Sequence, residues 1–202
     1  VDGLKKYYVE DRQYLTMTFD KMLDENGDLK WANRYVDEWQ NIKNTASSGL
    51  MLYGDTGTGK TFIACCIGNA LIETEQRVLI ANIADMVDKI SGFSDDKKTD
   101  YMEKIRKCDL LIIDDFGASR TTDYANELLY RIIDTRYRAE KPFIITTNLS
   151  PKQLMEEKDV GLKRIYERVI ERCRAKQVNK IKWRINLAAE SKKRMDSILF
   201  DT

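Results

Sequence analysis

The sequence predicts an α/β fold: a doubly wound parallel five-stranded sheet covered by helices on both faces, with a small C-terminal helical extension. Three observations carry this. Four short apolar runs, Leu50–Tyr53, Arg77–Ala81, Leu110–Asp114 and Phe143–Thr147, alternate with stretches of helical spacing. The central runs are continuously apolar, as parallel strands buried on both faces must be. The first run leads directly into a glycine-rich loop and then an apolar helix, the local order of a strand–loop–helix unit.

Taken in order, the residues before position 30 read as an irregular lead-in. Within it, Asp24-Glu25-Asn26-Gly27-Asp28 has the acid spacing of a calcium loop. Its glycine falls one place early and no bidentate Glu follows, so a turn is expected. Leu29 to Ile42 has helical spacing, with Trp31, Tyr35, Val36 and Trp39 on one stripe that should enter the core. Further helices are predicted at 60–74, 84–91, 99–107, 123–139, 151–157 and 161–174, and a last one near 189–199. A fifth strand is placed at Gln177–Ile181. The two prolines, Pro142 before a strand and Pro151 at a helix start, occupy tolerated positions. The domain reading is a lead-in and helix at 1–45, a nucleotide-binding core at 46–188 and a C-terminal helix at 189–202. Because the chain begins at Val1 without Met, a segment upstream is expected to be missing.

At 202 residues the chain suits one large domain, or a domain with a short appendage. With 43% hydrophobic and 33% charged residues it has material for both a core and a solvated surface. No run reaches the length of a membrane span, so the expectation is a cytoplasmic protein with no membrane partner. Four cysteines, Cys65, Cys66, Cys108 and Cys173, lack C-x-x-C spacing, and histidine is absent. This excludes a histidine base and argues against a zinc site. Cys65 and Cys66 read as small core residues, and reduced thiols suit the cytoplasm. Charge is uneven: residues 160–202 hold twelve Lys and Arg against five Asp and Glu, and the rest hold 22 against 28. Such a basic tail meets nucleic acid or an acidic partner, or is simply a solvated helical face; composition leaves both open.

The chemistry starts at Gly54-Asp55-Thr56-Gly57-Thr58-Gly59-Lys60-Thr61, which fits G-x-x-x-x-G-K-[ST], the phosphate-binding P-loop. Glycines let the loop curl until backbone N–H groups and a helix N-terminus converge on phosphate oxygens. Lys60 adds positive charge for the β- and γ-phosphates, and the Thr61 hydroxyl suits a Mg²⁺ shell. The candidate nucleotide-binding residues are therefore these eight together with Phe62.

Hydrolysis needs more than binding. In Asp109-Leu110-Leu111-Ile112-Ile113-Asp114-Asp115 four apolar residues end in paired acids. Asp114, at the strand tip, is the candidate metal partner of Thr61, and Asp115 the group that orients or deprotonates the attacking water. Many ATPases of this kind carry Glu there, so the shorter Asp predicts slow turnover. The next strand, Phe143 to Thr147, ends in Asn148. Its amide suits a γ-phosphate or the lytic water, or else only caps the turn before Ser150-Pro151. Arg168 and Arg172 lie four apart and share a helix face. Alone they would read as a surface helix with Glu–Arg pairs. Beside the other three elements they read as arginines offered to a neighbouring subunit's γ-phosphate.

These four elements, in this order and spacing, resemble those of AAA+ ATPases. The similarity is closer to the DnaC/DnaI-type bacterial helicase loaders and the IstB-like transposition ATPases. It is carried by Gly49-Leu50-Met51-Leu52-Tyr53 with the loop after it, by Leu111-Ile112-Ile113-Asp114-Asp115-Phe116-Gly117, by Thr146-Thr147-Asn148-Leu149-Ser150 and by Glu167-Arg168-Val169-Ile170-Glu171-Arg172. It runs from roughly Phe19 to the C-terminus, and the paired Asp ending looks more like the DnaI side.

The resemblance implies an AAA+ core at 46–188 and a reduced lid at 189–202. Lys60 and Thr61 become Walker A, Asp114 and Asp115 Walker B, Asn148 the first sensor, and Arg172 the arginine finger with Arg168 beside it. Lys193 stands where a second sensor arginine is expected, with Arg194 next to it; lysine lacks the forked donor, which leaves that role open. The implied cofactors are ATP or ADP and Mg²⁺. The implied partners are the replicative DNA helicase, gripped by a separate N-terminal region not recognisable here, single-stranded DNA, and further copies of the chain on ATP binding. Lys89, Lys97, Lys98, Lys104, Arg106 and Lys107, near Phe93 and Tyr101, offer a surface on which bases stack. Asp95, Asp96, Asp100 and Glu103 dilute that charge, and a plain solvated surface is an equal reading.

The expected function is thus an ATPase that loads the replicative helicase, weak until stimulated by assembly or DNA. The alternatives are an IstB-like transposition helper and a nucleotide-dependent switch with little hydrolysis. A small-molecule P-loop kinase is more distant, since no arginine-rich lid over a second substrate is evident.

Overall fold

Five strands form one sheet in the computed structural model, which describes residues 1–21, 30–117, 122–179 and 183–200. They are β1 Gly49–Tyr53, β2 Val78–Asn82, β3 Leu110–Asp114, β4 Phe143–Thr147 and β5 Cys173–Gln177. All pair in parallel, in the order β2-β3-β4-β1-β5. The two-residue period of a strand divides the apolar runs between two cores. Leu50, Leu52, Ile80, Leu110, Ile112 and Ile144 face one side; Met51, Leu79, Leu111, Ile113 and Ile145 face the other.

The first side is covered by α4 Lys60–Glu73, which is itself packed beneath α2 Lys30–Asp37 and α3 Trp39–Ile42. Sandwiched between the sheet and these outer elements, α4 is buried almost all round, and its run Phe62–Gly68 carries no polar face. The other side is covered by α5 Ile83–Gly92, α6 Asp95–Lys107, α7 Asp123–Arg138, α8 Pro151–Met155 and α9 Val160–Arg172. A last helix, α10, spans Trp183–Phe200.

Gly49 opens β1 where three strands crowd together. A Cβ there would lie 2.5 Å from the Phe143 carbonyl oxygen and 3.0 Å from that of Arg172. Gly49→Ala is expected to cost about 1–3 kcal/mol through forced backbone shifts, read as a lower midpoint in urea unfolding. An unchanged midpoint would mean that the strands part locally without loss.

Several elements differ from expectation. The lead-in holds a helix, α1 Asp2–Tyr8, and two 3-10 turns, Tyr14–Thr16 and Phe19–Lys21. It is organised by contacts far away in sequence: Val9 bridges Ile80, and the Glu10 N–H donates to the Ile80 carbonyl at 3.1 Å. Of the Leu29–Ile42 stripe, Leu29 falls outside the described residues and the rest folds as two helices, α2 and α3, parted at Glu38. Its core assignment holds for Tyr35 and Trp39, both buried and hydrogen-bonded to the Ser48 carbonyl and to the Gln76 side chain. The Asp24–Asp28 turn lies outside the described residues.

The fifth strand starts at Cys173 rather than Gln177, and the helix before it stops at Arg172 rather than at 174. Only Cys173 of β5 is buried, so no apolar run marks this edge strand. Of the expected segment, Gln177 ends β5, Val178 and Asn179 follow outside the strand, and Lys180 and Ile181 fall outside the described residues. The last helix begins at Trp183 instead of near 189, and α6 begins at Asp95 instead of 99. Among the described residues no helix is long and apolar enough to cross a membrane.

Candidate nucleotide site

The strand register gathers the polar residues at one edge of the sheet. Tyr53 of β1 lies beside Thr147 of β4, so the residues that follow, Gly54 and Asn148, emerge together. Ile113 of β3 lies beside Ile145, which sets Asp114 next to Thr146. Asn82, at the end of β2, lies beside Asp114 on the other side. This edge is the carboxyl end of the strands, where open parallel sheets bind ligands.

Between β1 and α4 the chain turns through Gly54–Gly59, and Gly59 caps α4 with φ of +98°, a conformation L side chains rarely adopt. The first turn of α4 thereby presents backbone N–H groups to the space above the sheet. Lys60 is only 7% exposed. Its ammonium donates to the carbonyls of Gly54 and Asp55 and to Asn148 Oδ1, each at 2.8 Å.

Asp114 is 5% exposed and holds three hydroxyls. Thr61 and Thr146 donate to Oδ1 at 2.7 and 2.6 Å, and Tyr14 donates to Oδ2 at 3.3 Å. Thr146 also accepts from the Asp115 N–H at 3.0 Å, which fixes the exit of β3. Asp115 follows with φ of +58°, and its carboxylate accepts from the Asn82 amide at 3.4 Å.

A carboxylate and a threonine hydroxyl 2.7 Å apart, at the mouth of the loop, are hard oxygen donors of the kind Mg²⁺ selects. Among the described residues no cluster of three metal-ligating His, Cys, Asp or Glu exists. A nucleotide-bound Mg²⁺ in general takes one or two protein oxygens, with phosphate and water completing its shell. Thr61 and Asp114 are the residues able to hold it. Cys65 and Cys66, on α4, are buried; burial pushes the Cys66 thiol up to about 12, as inert core sulfur requires.

Arg168 and Arg172 lie at the other end of the sheet. Arg172 donates to the Ala46 carbonyl at 3.2 Å and the Tyr137 carbonyl at 3.1 Å, with its guanidinium 4.6 Å from the Tyr137 ring centre. Arg168 pairs with Asp134 at 2.9 Å and lies over Tyr130. Ala46 precedes β1 whereas the P-loop follows it. Five strand residues, roughly 17 Å at 3.3 Å each, separate this arginine pair from the phosphate loop of the same chain. Lys193 and Arg194 lie exposed on α10.

The base-stacking surface is not formed as expected. Tyr101 is buried, its hydroxyl donates to Glu10 at 2.8 Å, and Phe93 packs against its ring. Lys104 is enclosed by Tyr7, Tyr8 and Tyr101, and burial lowers its pKa. Lys89 pairs with Glu10, Lys98 with Asp95, and Arg106 and Lys107 with Glu103. The aromatic rings belong to the core and the cations are largely spoken for within the chain.

Three residues at the site escape the sequence reading: Tyr14, Asn82 and Thr146. Thr146 carries a signal, a polar residue inside the apolar run of a central strand. Tyr14 carries none, since its partner is a hundred positions away.

A family model described as "IstB-like ATP binding protein" matches residues 28–191. The replicative helicase loader DnaC of Buchnera aphidicola subsp. Acyrthosiphon pisum is 29% identical over 170 residues, which cover 80% of this chain and 64% of that protein. The loader DnaI of Bacillus subtilis is 24% identical over 180 residues, 83% of this chain and 58% of that one. The chain thus spans 58 to 64% of the length of these relatives. A crystal structure of DnaI superimposes with a TM-score of 0.69 at 24% identity, covering 84% of this chain and 95% of that one. That likeness establishes the fold, the one AAA+ P-loop ATPases share. With the loop, the acids and the asparagine gathered at one sheet edge and the family match spanning most of its length, the chain belongs to the IstB-like ATP-binding proteins, and it is similar to the DnaC and DnaI helicase loaders.

Proposed function

We propose that this chain is the ATPase module of a replicative helicase loader, which binds Mg²⁺ and ATP and hydrolyses ATP within an oligomer on single-stranded DNA. The observation that carries it is the convergence of Lys60, Thr61, Asp114 and Asn148 at the carboxyl edge of the sheet. The relatives' names supply the biological setting.

In this reading the γ-phosphate draws the Lys60 ammonium away from the carbonyls of Gly54 and Asp55, and Asn148 turns with it. Backbone N–H groups of the loop hold the remaining phosphate oxygens. Mg²⁺, when bound, neutralises charge on the β- and γ-oxygens. Asp115 accepts a proton from the attacking water as its oxygen bonds to phosphorus and the β–γ bridge breaks, giving ADP and phosphate. Arg172 of one subunit serves the nucleotide of the next, since its place at the far end of β1 denies it the phosphate of its own chain.

Asp115→Asn tests the chemistry. It should keep ATP affinity and slow single-turnover hydrolysis on the order of 100-fold; an unaltered rate would remove Asp115 from the reaction. The family match also favours a second reading, a transposition helper. Pull-down with a replicative helicase, against a transposase in parallel, distinguishes the two: capture of the transposase alone would displace the loader reading.

A further inference from the structure

Tyr14 belongs to the lead-in, outside the sheet and its flanking helices, yet its side chain reaches the metal-facing acid. Its hydroxyl donates to Asp114 Oδ2 at 3.3 Å, and the residue is 8% exposed. The other carboxylate oxygen, Oδ1, already receives both threonine hydroxyls, of Thr61 and Thr146. Among the described residues, the side-chain hydroxyl on Oδ2 is that of Tyr14.

The segment carrying Tyr14 is clamped for this purpose. Asn69, buried on α4, donates its amide to the carbonyls of Tyr14 at 2.7 Å and Met17 at 2.8 Å. The Tyr14 N–H donates to the Asp11 carbonyl at 3.1 Å, closing the turn from the other side. Met17 and Phe19, just beyond, pack on Phe62 and Cys66 of α4. The helix that presents the P-loop thus also grips the backbone that aims the phenol. A phenol is protonated at working pH, so Tyr14 is a donor.

We propose that Tyr14 is a positioning residue for Mg²⁺: by holding Asp114 Oδ2 it fixes the plane of the carboxylate, so that the acid meets the nucleotide-bound ion without first being ordered. A carboxylate fastened at one oxygen only rotates about its last bond, and ordering it on binding weakens the complex. This rests on the reading that Asp114 serves the Mg²⁺ end of an ATP site, and it adds that the lead-in, not only the P-loop core, completes that end.

The test is a Mg²⁺ titration of fluorescent ATP-analogue binding by wild type, Tyr14→Phe and Asn69→Ser, repeated in EDTA and with melting temperatures recorded. Tyr14→Phe keeps the buried ring and removes the donor. The expected result is a Mg²⁺ midpoint raised roughly tenfold, with affinity in EDTA unchanged. Asn69→Ser, which loosens the clamp but leaves the phenol, should shift the midpoint in the same direction by less. An unshifted midpoint in Tyr14→Phe overturns the proposal. So does an equal loss with and without Mg²⁺ alongside a lower melting temperature, since that marks a packing role alone. If the wild type binds nucleotide without any Mg²⁺ dependence, the reading of Asp114 fails first and this proposal with it.

Discussion

Replacing Lys60 with Ala should lower ATP affinity on the order of 100-fold, about 2.7 kcal/mol, and take hydrolysis below detection. The ammonium donates to the loop carbonyls of Gly54 and Asp55, and Lys60 is nearly buried there. It also ties the loop to Asn148 on the neighbouring strand end, so its removal unlinks β1 from β4 at the site. Phosphate charge brought into that space would lose this chain's own ammonium, leaving more of it to Mg²⁺ and to the backbone N–H groups of α4. Equilibrium binding of a fluorescent ATP analogue reads the loss directly. Affinity within twofold of wild type would place the phosphates elsewhere and remove the P-loop assignment.

The largest effect on folding is expected away from the site, at Arg136. This α7 side chain is fully buried and is the chain's internal clamp. Its Nη1 donates to the carbonyls of Ile105 and Cys108 at 2.9 and 2.8 Å, and its Nη2 to those of Asp109 and Pro142. One guanidinium thus fastens the end of α6, the start of β3 and the start of β4. Among the described residues no carboxylate pairs with it directly; burial lowers its pKa, though an arginine remains charged at any working pH. Arg136→Leu would leave those carbonyls buried without donors, a loss of about 3–5 kcal/mol. Arg136→Lys restores charge but not the fork, and should recover only part. Urea unfolding of both variants checks this, with the midpoint falling in the order wild type, Lys, Leu. A Leu variant as stable as wild type would mean that the carbonyls find water instead.

Much of this architecture can be read in the sequence, for a physical reason in each case. The four strands β1 to β4 are buried on both faces, so each carries an apolar run, and their ends coincide with the polar residues that matter. The spacing of the P-loop likewise fixes where Lys60 and Thr61 stand relative to the strand before them, and the acids end a strand whose neighbours are equally plain. The edge strand β5 exposes Arg174 to Gln177, so nothing in its composition separates it from a loop. The lead-in is ordered by Asn69, Ile80 and Asp114, all remote in sequence, and local composition cannot announce such partners. Lys104 and Tyr101 show the reverse error: cations near aromatics suggest a nucleic-acid surface, whereas here Lys104 packs on Tyr7 of α1 and Tyr101 holds Glu10 just beyond it. Tyr14 illustrates the limit most clearly, because a tyrosine in a polar lead-in becomes part of the site only once the chain has folded over α4.

The central claim, an ATPase whose site is completed by another copy of the chain, is tested most directly by ATPase rate per subunit against protein concentration. The measurement is made with and without single-stranded DNA, for wild type and Arg172→Ala, with melting temperatures recorded beside it. The account predicts a rate that climbs with concentration and falls on the order of 1,000-fold in the variant, beyond what any loss of its bonds to Ala46 and Tyr137 explains. A rate that is flat with concentration and indifferent to Arg172 would contradict it, and would describe a nucleotide switch that acts as a single chain.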